Sequence, residues 1–339
     1  MRHQLIALVL GEVPHEVRGE LFPSRAGKSK PVYSQAAAPA QVRVGEERVL
    51  IDGRPVVFQL RGYPPDVLLL EASLDVETLF DQKVLALTEM LYREAYRLLE
   101  ARGGEPLFSE EYSVFAVSGY EGPPEQFLDH AAVMASLLKS EGLDLDPKEI
   151  EHTLQAHIKY GMNDMAVVDW NGAFLFDDLG DFDEDIELLV LANLQLLRHR
   201  ILDRQLDERL TRLGELAQKT ADGRPFRRSE LASGLRETIR IRTSSISALQ
   251  QLDRQIRLIG DWYSARLFDL TARKFRIEAW RNVLRGKLES VEDIHSMIAE
   301  NFSVSAKHRA EWYQILAFFV LQIGWFLLII LEFWYFTHH

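Results

Sequence analysis

The chain contains no cysteine. That excludes a disulfide framework, a thiolate zinc site and a cysteine nucleophile, and it fits a reducing compartment. The G-x-S-x-G elbow, the G-x-x-x-x-G-K-[ST] loop, the G-x-G-x-x-G turn and H-E-x-x-H are also missing. Hydrolase, P-loop, dinucleotide and zincin chemistries therefore have no support, and no resident cofactor is expected. Ten histidines are scattered, and His152 and His157, five apart, fall on different faces of a helix. Long apolar runs are scarce too. Near the start only Leu5–Leu10 are consecutively apolar, too few for a signal-peptide core, and they read as a buried strand ending at Gly11.

What is present divides in two by charge. Residues 1–187 hold 16 basic and 34 acidic side chains, whereas residues 188–300 hold 21 and 15. The 339 residues are 47% hydrophobic and 27% charged, ordinary values that exclude wholesale disorder. An acidic front half and a mildly basic second half argue for separate regions.

The clearest single feature is WYQILAFFVLQIGWFLLIIL, Trp312–Leu331, twenty residues without a formal charge. A helix of about twenty residues spans roughly 30 Å, the thickness of a bilayer hydrocarbon core. Trp312 and Tyr313 at one end and Trp334 and Tyr335 at the other are placed as interfacial anchors, with Lys307 and Arg309 just before. The positive flank predicts the preceding chain on the cytoplasmic side, in a tail-anchored arrangement. Such a protein sits in a bacterial inner membrane or an organelle membrane. Within the span, Ala310, Gln314, Ala317, Leu321, Gly324 and Leu328 step by three or four. That stripe suits helix–helix association between protomers.

Before the span the pattern changes once. Residues 22–41 read as a solvated loop; QVRVGEERVLIDGRPVVFQL, residues 41–60, alternates, with turn signals at Gly45-Glu46 and Asp52-Gly53. Strands are predicted over 66–74 and 112–118, and helices over 76–102, 125–140 and 147–156. Asn171-Gly172 predicts a hairpin, which brings the front half to six or seven strands. After Asp177 the periodicity is helical, over 184–220 and 228–300, with a break at Asp222–Pro225 and a kink at Asn301–Ser303. Ile246, Leu249, Leu252, Ile256, Ile259, Tyr263, Leu267 and Leu270 form a coiled-coil-like seam whose register slips at Phe275–Trp280. The fold expected is a mixed α+β cytoplasmic domain over 1–180, a long antiparallel helical hairpin over 181–306 and a single transmembrane helix over 312–336.

Three constellations bear on chemistry. DDLGDFDEDIE, residues 177–187, carries seven carboxylates, and Asp181, Asp183 and Asp185 form a weak candidate for a hard cation. It lacks EF-hand spacing, and a solvated turn whose acids favour the next helix N-terminus is the preferred reading. Gly161-Met162-Asn163 matches the signature triplet of CorA-type magnesium channels, but far from the span and in a predicted strand. Arg224, Arg227, Arg228, Arg236, Arg240 and Arg242 make a ribosomal or phosphate contact conceivable, although interleaved acids favour a solvated face. There is no specific nucleic-acid motif.

The chain resembles the "required for meiotic nuclear division" family in three places. Asn163-Asp164 precedes a short apolar strand, Met165–Val168. Leu191–Leu196 leading to Leu206-Asp207 stands where the family has a helix reading like LAQS-x-K-L, with Leu194 and Leu196 in place of its Ser and Lys. Lys287–Leu331 matches the closing helix, with Arg309, Glu311 and Trp312 at its Arg-x-Glu-Trp lead-in to one span. The resemblance implies a membrane-anchored, oligomeric, non-catalytic protein; mitochondrial members support the translation machinery at the inner membrane. The expected function is thus a tail-anchored scaffold or tether of the lipid bilayer that self-associates and engages a soluble protein or ribosomal partner. The alternative is an oligomeric CorA-like ion channel or transporter with one span per protomer.

Overall fold

The structure, a computed structural model, describes residues 1–22, 41–221 and 262–338, together with Arg236, Ile239, Arg240, Thr243, Ile246 and Ser247. Within its helices, the side chains of residues 216–221, 295, 297–310, 333 and 335–338 are outside this description. So are most of the predicted loop at 22–41, the break at Asp222–Pro225 and the seam positions Leu249, Leu252, Ile256 and Ile259.

The chain divides into two compact units, Met1–Arg204 with Ser247–Leu284, and Gln205–Ile246 with Arg285–His339. The first unit is built on a nine-stranded sheet: β1 (Arg2–Glu12), β2 (Glu20–Phe22), β3 (Gln41–Ile51), β4 (Arg54–Tyr63), β5 (Val67–Val76), β6 (Ser109–Ser118), β7 (His157–Ile158), β8 (Asp164–Val168) and β9 (Gly172–Asp177). Their order across the sheet is β2-β3-β4-β5-β1-β6-β9-β8-β7. Every pairing is antiparallel except β6 with β9.

The apolar run at the start of the chain is explained by its place. β1 lies mid-sheet between β5 and β6, and helices packed on the two sides of the sheet cover both of its faces. Leu5, Ala7 and Val9 enter one core with α1 (Lys83–Glu100) and α2 (Ala131–Lys139); Ile6, Leu8 and Leu10 enter a second core on the opposite face. In α1 the buried Val84, Thr88, Leu91, Ala95 and Leu98 recur at helical spacing against the sheet. Gly11 allows this approach, because a Cβ there would lie 2.4 Å from a Leu99 methyl.

The second core is closed by helices from the later chain. These are α4 (Asp183–Ala221), through Ile186, Leu189, Val190, Leu194 and Leu197, and α5 (Trp262–Lys274), through Leu267, Phe268 and Leu270. Two seam residues, Leu267 and Leu270, thus pack in the core of the sheet domain. The register slip at Phe275–Trp280 has a cause: Arg276 takes φ 51°, ending α5, and Phe275 turns into the core before α6 (Ile277–His338) begins. The backbone of α6 is helical throughout, including the predicted kink at 301–303.

Three further local expectations are corrected. Gly45-Glu46 is not a turn but a register shift within the β3–β4 ladder, a bulge between Arg43 and Gly45. The helix expected from residue 76 starts at Lys83, because β5 runs to Val76 and the Thr78 and Asp81 side chains accept from the backbone N–H groups of Phe80 and Lys83. The helix expected over 125–140 is a 3₁₀ segment, Pro124–His130, followed by α2. A short helix α3, Pro147–Leu154, begins after Asp146, whose carboxylate accepts from Lys148 N–H.

In the second unit, Leu206 and Leu213 of α4 and Val291 of α6 are buried, and Lys287 Nζ lies 2.7 Å from Asp207 Oδ1.

Candidate functional site

The strongest departure from ordinary soluble packing is in the second unit. Glu311–Glu332 of α6 is long and apolar enough to cross a membrane, with mean hydropathy 2.4, and none of it is buried against the protein. Trp312 and Tyr313 at its start are exposed, as is Trp334 beyond its end. The proposed association stripe, Gln314, Ala317, Leu321, Gly324 and Leu328, is exposed along its length, and a Cβ on Gly324 would meet nothing within 4 Å. Lys307, Arg309 and Tyr335 lie on the same helix, but their side chains are among those outside the description. A helix of this composition with no protein cover requires another apolar medium, a bilayer or further apolar helices.

The acidic turn belongs to the first unit and does several things at once. Asp177 Oδ1 accepts from the backbone N–H groups of Leu179 and Asp181, forming a tight turn after β9. Asp183, Glu184 and Asp185 form the first turn of α4, where carboxylates favour the positive helix end. Asp181 and Asp183 are exposed, while Asp185 is half-buried and receives the Tyr263 hydroxyl of α5 at 3.5 Å. Ser264 of α5 donates to Glu184 at 3.0 Å. Burial, reinforced by the charges of Glu184, Asp164 and Asp177, pushes the Asp185 carboxyl up to about 7. Burial and the same neighbourhood drive the Tyr263 hydroxyl above its ordinary range. The structure therefore separates the three candidate cation ligands, two facing solvent and one turned against α5. Among the described residues, no group of three or more His, Asp or Glu side chains is gathered as a metal ion requires.

Glu187, the last acid of the turn, is drawn inward. Arg61 on β4 is buried and binds Glu71 of β5, Glu187 Oε2 at 2.9 Å and Gln41 Oε1 at 3.1 Å; the Tyr63 hydroxyl donates to Glu187 Oε1 at 3.2 Å. One guanidinium thus joins three strands to α4. A second buried group, Asp169 in the β8–β9 turn, binds Lys274 of α5 at 3.0 Å and Lys139 of α2 at 3.5 Å. Lys139 also binds Glu149 of α3 at 2.7 Å. Burial alone would favour its neutral form, but Glu149 and Asp169 outweigh it and hold the ammonium above its usual range. Lys139 thereby ties α2 to α3 and to the β8–β9 turn. Neither network was legible as a motif, because each joins residues from distant strands and helices.

Gly161-Met162-Asn163 lies in the β7–β8 loop and not in a strand. Asp164 explains its shape, accepting from the backbone N–H groups of Tyr160 and Gly161, each at 2.8 Å. Arg236 and Arg240 are exposed on a helix; the other four candidate arginines fall outside the described residues.

Comparison with known proteins shows the family of the sheet domain. The sequence profile of the family described as "Uncharacterized protein MJ0711, N-terminal domain" matches residues 6–183, more than half of the chain. The protein "Uncharacterized protein MJ0711" of Methanocaldococcus jannaschii is 25% identical over 234 residues, covering 69% of each chain. No solved structure matches.

Proposed function

The chain belongs to the MJ0711 N-terminal domain family through its sheet domain, and from that premise we propose that it is a membrane-anchored scaffold or tether without chemistry of its own. The observation that carries this reading is the uncovered apolar helix Glu311–Glu332. It stands in a chain whose strongly acidic front half supplies a sheet with an apolar core on each face. The basic flank at Lys307, His308 and Arg309 supports a cytoplasmic side for the sheet domain. In the second unit, the Lys287–Asp207 pair and the buried Leu206, Leu213 and Val291 support antiparallel packing of α4 on α6, the start of a helical hairpin.

The resemblance to the "required for meiotic nuclear division" family belongs to this proposal. Its three motifs fall on β8, α4 and α6. Leu194 and Leu196, which replace that family's Ser and Lys, are fully or almost fully buried in the second core, so this chain spends those positions on packing. Support of a soluble or ribosomal partner at the membrane would then be the task of the exposed cytoplasmic surface, with self-association through the helices and the span.

The deciding experiment compares the full chain with a form lacking residues 312–339. The full chain is expected in the membrane fraction, resistant to salt and alkaline washing, and the shortened form in the soluble fraction. Membrane retention of a folded shortened form would overturn the single-anchor reading.

A further inference from the structure

His3 is out of place in the first core. It shares a face of β1 with Leu5, Ala7 and Val9, and only 3% of it is exposed. Its register partners are Val76 of β5 and Val117 of β6, both apolar. Phe80 meets its ring edge-on, with centroids 5.6 Å apart. Phe80 in turn stacks on Phe127 at 5.4 Å, Phe174 at 6.1 Å and the exposed His130 at 4.4 Å. Among the described residues, neither ring nitrogen of His3 has a hydrogen-bond partner. Buried polar atoms left unpaired cost stability, so packing alone would be served better by an apolar side chain.

The surroundings select one protonation state. An imidazolium carries two N–H donors and a charge, and an apolar setting meets neither need. The acids on the elements packed here turn elsewhere. Asp75 of β5 binds Arg2, Asp81 accepts from Lys83 N–H, Asp177 accepts from Leu179 and Asp181 N–H, and Asp178 accepts from Asn163. Glu77 after β5, Glu121 after β6 and Asp129 beside His130 are exposed, and none of them pairs with His3. The cations are the Met1 ammonium, Arg2, Lys83 and the ring of His130 when protonated. Burial, and then the charge of the Met1 ammonium, hold the His3 imidazole below its ordinary range.

Only a strand end has to move for this ring to reach water. His3 is the second residue of β1, and Leu5, fully buried, marks where the deep core begins. On the opposite face the end is tied by exposed pairs, Arg2 to Asp75 at 3.0 Å and Gln4 to Ser73 at 2.7 Å. Such pairs hold weakly. We propose that His3 makes the start of β1 an acid-released latch: the neutral ring seats residues 1–4 on the sheet, and its protonation frees them and bares the Phe80 stack. The freed end binds a proton that the seated end refuses. Seating is therefore complete above about pH 6.5 and is lost as pH falls below it. Asp185 acts in the opposite sense, since its proton favours the fold, so the two titrations are separable. The latch belongs to the sheet domain and does not rest on the membrane-anchored reading.

The test follows hydrogen exchange, resolved to single amides, on the full chain in mild detergent at about pH 7.5 and about pH 5.5. Each rate is referred to that of an unstructured chain at the same pH. A free imidazole titrating near 6.5 favours the open form by up to about tenfold more at the lower value. The amides of residues 3–5 are expected to lose protection by about that factor, while β8 and β9 keep theirs. His3→Gln and His3→Phe, which cannot take up the proton, are expected to remove the difference. His130→Gln is expected to retain it. A parent whose strand end changes by less than about twofold overturns the latch, as does a difference that survives both His3 variants. Loss of the difference in His130→Gln assigns the titration to His130 and also overturns it. Should both His3 variants prove unfolded, histidine-selective isotope labelling of the parent decides by NMR. A His3 titration that coincides with the loss of protection upholds the latch, and one displaced from it sinks the idea.

Discussion

At residue 185 a carboxyl group sits where three others already press on it. Asp185 binds its proton more tightly folded than unfolded, its value rising from 3.8 to about 7 through burial and then the charges of Glu184, Asp164 and Asp177. Its contribution therefore favours the fold fully below about pH 4 and fades as pH climbs through about 7. Asp185→Asn should flatten stability across that window and raise it at pH 8 by about 1–2 kcal/mol, discounted for partial exposure. Urea unfolding from pH 5 to pH 8 checks this; a variant with the parent's slope would remove Asp185 as its source. The sequence presents Asp185 and Glu187 as members of one solvated acidic run. What separates them is the partner each meets, Tyr263 for one and Arg61 for the other, and those partners arrive from far along the chain.

At the scale of the elements, local chemistry was readable and long-range pairing was not. Asp52 and Gly53 adopt φ 49° and 71°, the left-handed pair a two-residue hairpin demands, whereas the β8–β9 hairpin forms without a left-handed Asn171 or Gly172, and Gly172 is already the first residue of β9. Alternation, by contrast, says nothing about β1 lying between β5 and β6 or about the parallel β6–β9 pair, which joins strands more than fifty residues apart. Strand number was read low because β2 and β7 span only three and two residues. Gly62 exposes another limit. On β4 its missing side chain lets Val17 come so close that a Cβ would lie 2.0 Å from a Val17 methyl and 2.9 Å from one of Val42. Gly62→Ala should lower stability by about 1–3 kcal/mol through overpacking, measurable as a lower denaturant midpoint with an unchanged slope. Parent stability would mean that Val17 moves aside freely.

For the molecule as a whole, the uncovered apolar helix Glu311–Glu332 dominates behaviour in solution. Gly324→Ile adds a branched side chain to the stripe of Gln314, Ala317 and Leu321, in open space in the single chain. If close helix contacts form there, the detergent-solubilised mass should fall; an unchanged mass would assign the stripe to lipid. The two-sided sheet has another consequence, in the order of synthesis. One face is covered by α1 and α2, encoded among the strands, but the other waits for α5 and Phe275. Phe275 packs edge-on against Tyr112 of β6 and Trp170 of the β8–β9 turn. Roughly a hundred residues separate the last strand from that cover, about 5–20 s at usual elongation rates. Throughout that interval the growing chain carries a finished sheet with part of one greasy side bare. The apolar helix Glu311–Glu332 is made later still, so that bare sheet face is the first large apolar surface the growing chain has to shield.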